Sequence, residues 1–93
     1  MTATRTGRKR VAVIGATGSV GSAILSVCRA HLDEVEVRAL AARSPSEKLR
    51  MLSREFEATM LCAYDAPRGT EGLLTGSEGL VAIAESPEVD QVL

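Results

Sequence analysis

The sequence predicts an α/β fold in which helices cover both faces of a parallel sheet. Three observations support this prediction: a short run of β-branched residues near the start, an amphipathic helix after it, and a second strand that follows directly. This β-α-β order closes within about thirty residues, the size of one parallel crossover unit. Glycines lie where the first strand meets the first helix, which is typical of a Rossmann-type, doubly wound sheet.

The first three elements follow from the spacing of apolar residues. A continuous apolar run at 11–14 predicts a strand covered on both faces. Helical spacing predicts a helix over about 19–31, and residues 35–41 return as the second strand. The buried stripe of that first helix is expected to consist of Val20, Ala23, Ile24, Val27 and Cys28.

A second helix is predicted from its start signals. Ser44 is expected at the N-cap and Pro45 at the first helical position, with Glu47 placed to complete a capping box. A third strand at 59–64 follows this helix.

The remaining third of the chain is predicted to be turns, one helix and two short strands. The first short strand is expected at 73–75, the helix from Leu80 to about Pro87, and the last strand from Val89. Because the sequence ends within that last strand, we expect an incomplete sheet.

Length and composition narrow the possible functions. The chain has 93 residues, of which 45% are hydrophobic and 25% charged, so a packed core is expected. A net charge of -1 gives no positively charged surface of the kind that binds nucleic acid, and no apolar run approaches the ~18 residues that span a membrane.

Cys28 and Cys62 are interpreted as reduced core thiols of a cytoplasmic protein. Residues 1–9 are expected to be a disordered basic leader before a domain that occupies 10–93.

The motif that carries the functional prediction is GATGSVG, from Gly15 to Gly21, between the first strand and the first helix. A dinucleotide pyrophosphate is met by backbone N–H groups at a helix N-terminus, and a glycine such as Gly18 lets the backbone approach it. Thr17 and Ser19 add hydroxyl donors for phosphate oxygens. The alternative interpretation is a tight turn that holds no ligand.

The end of the second predicted strand favours NADP(H) over NAD(H). An Asp or Glu normally holds the ribose 2′-hydroxyl of NAD at this position, and this sequence has none there. Arg43 and Ser44 occupy the position instead, and an arginine fork suits a 2′-phosphate. The alternative is an exposed arginine beside a helix cap formed by Ser44. No constellation of acid, base or metal ligands accompanies the motif, so no catalytic or metal-binding residue is assigned.

Later stretches distinguish this sequence from other proteins with a similar opening. Semialdehyde dehydrogenases and atypical short-chain dehydrogenases begin with comparable GATG runs. In this chain the opening VAVIGATGSVG is followed by REF at 54–56, TGSEGL at 75–80 and SPEVDQVL at 86–93. Together these stretches resemble the N-terminal domain of 1-deoxy-D-xylulose 5-phosphate reductoisomerases, over nearly the whole chain from Arg10 onward.

This resemblance implies an NADPH-dependent enzyme of the non-mevalonate isoprenoid pathway. Enzymes of the family convert 1-deoxy-D-xylulose 5-phosphate, a phosphorylated sugar, to 2-C-methyl-D-erythritol 4-phosphate, use Mg²⁺ or Mn²⁺, and are homodimers. Matching the family's motifs implies two cofactor-binding groups in this sequence, which are Thr17, Gly18, Ser19 and Val20 in the turn and Arg43 and Ser44 in the second loop. The family usually has Gly, then Lys or Ser, then Asn in that loop, whereas this sequence has Arg-Ser-Pro at 43–45.

The resemblance also implies what this stretch of chain lacks. The family's metal-binding carboxylates and substrate-phosphate residues lie beyond position 93, so the chain alone is expected to be inactive. Two other functions stay open: part of another NADP-dependent dehydrogenase, of the semialdehyde or atypical short-chain type, and a module that binds NADP(H) without catalysis. An acidic metal-binding region after position 93 would support the reductoisomerase, and a catalytic cysteine there would support the semialdehyde dehydrogenase.

Overall fold

The computed structural model describes residues 8–70 and 72–93. Of the predicted leader, residues 1–7 lie outside the described residues, and Lys9 already belongs to the first strand. The elements in chain order are β1 (Lys9–Ile14), α1 (Ser19–Ala30), β2 (Val35–Ala42), α2 (Glu47–Phe56), β3 (Met60–Ala63), β4 (Leu74–Thr75), α3 (Gly76–Glu85) and β5 (Gln91–Val92).

The described strands form one parallel sheet in the order β4-β3-β2-β1-β5. β1 lies between β2 and β5, so successive connections carry the chain away from β1 on one side and back to its other side. This reversal defines a doubly wound sheet. The predicted fold is therefore confirmed, including the two short strands, which the structure places at Leu74–Thr75 and Gln91–Val92.

Each face of the sheet packs against its own helices, because successive side chains of a strand point to opposite faces. Residues of β1 alternate accordingly between two hydrophobic clusters, with Val11 and Val13 in one and Ala12 in the other. The first cluster includes Leu25 of α1 and Leu49 of α2. The second is centred on Cys62, Ile83 and the small residues of β1 and β2.

The rotation of α1 about its axis differs from the prediction. The helix buries Gly21, Leu25 and Cys28, whereas Val20, Ala23 and Val27 of the predicted stripe are exposed, Val20 to 74% and Val27 to 61%. Gly21 faces inward because only a residue without a side chain fits there: a Cβ would lie 2.0 Å from the carbonyl oxygen of Gly15. The need to pack this glycine therefore outweighs the burial of two valines.

The predicted cap of α2 is wrong by two residues. Ser46, not Ser44, is the N-cap, and its Oγ accepts a hydrogen bond from the N–H of Leu49 at 3.1 Å. Glu47 is the first helical residue instead of the third, so the expected capping box does not form. With this start Leu49 is the third helical residue, and it is completely buried.

The third helix begins earlier than predicted, at Gly76 instead of Leu80. Gly79 of this helix is buried where α3 crosses β3. A Cβ on Gly79 would approach the Sγ of Cys62 to 2.8 Å and the Cβ of Leu74 to 3.0 Å. The glycine thus allows close packing of helix on sheet, and this contact compensates for its low helix propensity.

Candidate nucleotide-binding site

The glycine-rich turn lies at the carboxyl end of β1, where the order of strands reverses. β2 and β5 pair with β1 from opposite sides, and the connections of the sheet diverge at this point. In open α/β sheets, ligands bind in the crevice outside the carboxyl ends of the strands at such a reversal. The turn therefore occupies the position that a nucleotide site requires.

The backbone of the turn is held by the strands and leaves open space in front of it. Gly15 has a φ of +72°, a left-handed conformation that side chains rarely adopt, and a Cβ there would meet nothing within 4 Å. The next residue, Ala16, donates its N–H to the carbonyl of Ala41 in β2 at 2.9 Å. Gly18 is exposed, and its N–H donates to the carbonyl of Gly15 at 3.0 Å.

The first turn of α1 presents backbone N–H groups that no side chain caps. The N-cap, Gly18, has extended backbone and makes no side-chain hydrogen bond. The first bond of the helix ladder runs from the N–H of Ser22 to the carbonyl of Gly18 at 2.8 Å. The N–H groups of Ser19 and Val20 precede it and have no partner among the described residues. Unsatisfied donors at the positive end of a helix dipole form an anion site.

Arg43 and Ser44 lie beside this turn because β2 pairs with β1, with Ala41 opposite Ile14. The Arg43 side chain is 78% exposed, and its Nε lies 3.2 Å from the Oδ2 of Asp65, which follows β3. Ser44 is exposed and does not cap α2. The helix cap that the alternative interpretation assigned to Ser44 is therefore wrong, whereas Arg43 is exposed, as that interpretation expects.

Two residues at this edge were not recognised from the sequence. Asp65 pairs with Arg43, and Lys48 of α2 donates from its Nζ to the carbonyl oxygen of Thr17 in the turn at 3.4 Å. Lys48 and Thr17 are 31 positions apart in the chain, so no local pattern connects them. Only the packing of α2 beside α1 on the same face brings this ammonium group to the turn.

Other groups that could carry chemistry lie elsewhere or are inert. In the part of the chain that the structure describes, no three His, Cys, Asp or Glu residues form a cluster able to hold a metal ion. Cys28 and Cys62 are free and buried, and burial raises the pKa of both thiols, which opposes formation of a reactive thiolate. None of the described helices is long and apolar enough to cross a membrane.

Residues 11–93 match a known protein family, and curated proteins with the name of that family are similar to this chain. The family model of 1-deoxy-D-xylulose 5-phosphate reductoisomerase matches residues 11–93. Curated reductoisomerases of that name from Ralstonia pickettii and Aquifex aeolicus are 38% and 36% identical, over 90% and 85% of this chain. These matches cover 24% and 23% of the two relatives, so the chain spans about a quarter of their length.

Solved structures agree with this comparison. A DOX-P reductoisomerase in complex with NADPH, fosmidomycin and magnesium superimposes with a TM-score of 0.77 at 30% identity, over 90% of this chain and 23% of that one. A second, in complex with magnesium, gives a TM-score of 0.80 at 31% identity, over 90% and 24%. The chain therefore belongs to the 1-deoxy-D-xylulose 5-phosphate reductoisomerase family.

Proposed function

We propose that this chain binds NADPH and forms the cofactor-binding part of an oxidoreductase that converts 1-deoxy-D-xylulose 5-phosphate to 2-C-methyl-D-erythritol 4-phosphate. The observation that carries the proposal is the uncapped first turn of α1 at the strand reversal, next to Arg43. A related structure, 30% identical and similar over 90% of this chain, contains NADPH. This similarity favours a cofactor over a turn without ligand.

The residues present fit the phosphate groups of the cofactor. The free N–H groups of Ser19 and Val20 are donors for the pyrophosphate, and Gly18 leaves room for its approach. The hydroxyl groups of Thr17 and Ser19 lie in the same turn and add further donors. These four residues form the first half of the proposed cofactor site.

The second half of the proposed site recognises the adenosine ribose. Arg43 and Ser44 directly follow β2, at the position where a sequence that binds NAD has an Asp or Glu for the ribose 2′-hydroxyl, and neither is present there. The exposed guanidinium of Arg43 instead suits a 2′-phosphate, which selects NADPH over NADH. Bound NADPH supplies the hydride of the reduction, and this chain holds and orients the cofactor.

The complete enzyme would supply what this chain does not. By analogy with its family we assign to it a phosphorylated sugar substrate, a divalent metal ion, a homodimeric assembly and a cytoplasmic location. Its relatives are about four times as long as this chain, and one related structure contains magnesium and fosmidomycin. By the same analogy we assign metal binding and catalysis to the remainder of the enzyme; the described residues contain no group of three His, Cys, Asp or Glu residues that could hold a metal ion.

The proposal is tested by titrating the 93-residue chain with NADPH and with NADH, and following nicotinamide fluorescence. We expect tighter binding of NADPH, and we expect Arg43→Glu to remove that preference because it places a carboxylate beside the 2′-phosphate. Arg68→Glu is the matched control, since Arg68 is 83% exposed and is also paired with a carboxylate, that of Glu78 beside β4. Raising the salt concentration should narrow the NADPH preference of the wild type.

The outcomes of this titration are distinct. A wild-type chain that binds neither dinucleotide would contradict the proposed cofactor site. Equal affinity for both cofactors, unchanged by Arg43→Glu, would leave a nucleotide-binding turn but remove the assignment of the 2′-phosphate to Arg43.

A further inference from the structure

Two cations, Arg43 and Lys48, lie at the carboxyl edge of the sheet, and only Arg43 has a carboxylate partner among the described residues. The guanidinium of Arg43 lies within ion-pair distance of Asp65, so the pair has no net charge. A 2′-phosphate that approaches Arg43 therefore also approaches the carboxylate of Asp65. Arg43 alone accounts poorly for the attraction of a doubly charged phosphate to this edge.

Lys48 is the cation at this edge whose charge is available. Among the described residues no carboxylate pairs with it, whereas its neighbour Glu47 pairs with Arg54 at 3.2 Å. The acceptor that its Nζ does reach is the neutral carbonyl oxygen of Thr17, at 3.4 Å. This distance is long for a hydrogen bond, so little stabilisation is lost if the ammonium group turns to another acceptor.

Lys48 is close in the chain to Arg43 and Ser44, the residues proposed to recognise the ribose. It lies in the first turn of α2, directly after the loop that carries Arg43, and its side chain reaches back toward the turn after β1. The ammonium group thus lies beside the turn after β1, on a side chain that starts close to the loop after β2. The pyrophosphate already has the free N–H groups of α1 as donors, whereas the 2′-phosphate has only the compensated Arg43 and the hydroxyl of Ser44.

We propose that Lys48 binds the 2′-phosphate of NADPH and is a determinant of the preference for NADPH over NADH. This inference rests on the proposed NADPH-binding function. It assigns to Arg43 the shape of the subsite and to Lys48 its net positive charge. A lysine serves this role as a compact point charge with rotatable donors, and its long stem allows it to leave the carbonyl of Thr17.

The test compares two substitutions on the same helix that remove the same charge. Lys48→Met and Arg50→Met each keep an unbranched side chain at an exposed position of α2. In titrations with NADPH and NADH, we expect Lys48→Met to weaken NADPH binding about tenfold, the value of one charge-assisted hydrogen bond, and to leave NADH binding unchanged. Arg50→Met should alter neither affinity, and Lys48→Arg should keep the NADPH preference.

Each other result counts against the inference. If Lys48→Met weakens NADPH and NADH equally, Lys48 meets the pyrophosphate or shapes the turn, and the 2′-phosphate assignment is wrong. If it changes neither affinity while the wild type prefers NADPH, the inference fails and the proposed function stands. A wild-type chain without affinity for either cofactor would overturn both.

Discussion

The two ends of the sheet use charged residues in opposite ways. At the carboxyl end, Arg43, Asp65 and Lys48 are exposed, and their contacts are 3.2 Å or longer. At the amino end, Arg10 is only 16% exposed and its guanidinium donates to both carboxylate oxygens of Asp90, at 3.1 and 2.9 Å. Charges at the amino end are therefore fixed, whereas those at the carboxyl end can be rearranged.

A second ion-pair group extends the fixed end. Arg38 is the extra residue of the β-bulge in β2, because Val37 and Ala39 pair with consecutive residues of β1. Its guanidinium donates to Glu36 at 2.9 Å and to Glu88 at 2.7 Å. This group ties the loop before β5 to the middle of the sheet.

This difference between the two ends indicates that the amino end stabilises the fold, whereas the carboxyl end is available to bind a ligand. The strands are joined at the amino end by paired charges, so the carboxyl end needs few side-chain contacts of its own. Its geometry depends on backbone and on glycine packing instead. The exposed cations Arg43 and Lys48 and the free N–H groups of α1 then remain available to bind an anion.

The largest effect should follow from disturbing the backbone of the carboxyl end. A Cβ at Gly21 would lie 2.0 Å from the carbonyl oxygen of Gly15, a backbone atom that cannot move without displacing the turn. We expect Gly21→Ala to lower the free energy of unfolding by about 3 kcal/mol, despite the better helix propensity of alanine. Urea denaturation followed by circular dichroism measures this loss.

Gly18→Ala is the matched control within the same turn. A Cβ there would lie 3.5 Å from the same oxygen, an ordinary contact, so we expect a loss of about 1 kcal/mol or less from the N-cap position. Equal losses in the two variants would show that the glycine packing of α1 does not fix the turn.

A smaller effect should distinguish the carboxylates of the two ends. Asp90 accepts hydrogen bonds from the backbone N–H and the guanidinium of Arg10, so Asp90→Asn should lower the melting temperature by several degrees. Asp65→Asn removes a carboxylate from an exposed pair and should leave the melting temperature nearly unchanged. Calorimetry on both variants makes the comparison. A larger shift for Asp65→Asn would mean that the carboxyl end, not the amino end, carries the stabilising charges.

The sequence predicted those elements whose signals are local. β1, α1 and β2 follow from apolar runs and helical spacing, and the order of elements then implies the parallel sheet. The starts of α2 and α3 were missed. Gly79 of α3 packs against Cys62 and Leu74 of other elements, a contact that no local pattern reveals. The start signals of α2 favoured a cap at Ser44, whereas the structure uses Ser46, whose Oγ accepts from the N–H of Leu49.

The candidate site divides in the same way. The glycine turn and Arg43 could be identified from their places after two strands, and their assignment to NADPH stays a prediction. The contact of Lys48 with Thr17 and the pairing of Arg43 with Asp65 join distant segments, so the sequence alone could not reveal them. The exposure of Val20 was missed for a related reason, because the orientation of α1 depends on the packing of Gly21.

The smallest effect concerns the response of the fixed end to acid. The guanidinium of Arg38 and the hydroxyl of Thr59 donate to Glu88 and hold the pKa of its carboxyl below the ordinary value of 4.5. Since the pKa is lower in the folded state, the stabilisation is complete above about pH 4.5 and is lost as the pH falls through the folded-state pKa.

Glu88→Gln removes this titrating group, so its urea midpoint should fall less than that of the wild type between about pH 5 and pH 3. Glu85→Gln is the control, because Glu85 is an exposed carboxylate of α3 without an ion-pair partner among the described residues. The wild type and Glu85→Gln should share one acid profile. If Glu88→Gln follows that profile too, the ion pair between Arg38 and Glu88 does not stabilise the folded state, and the amino end gains less from its paired charges than their short distances indicate.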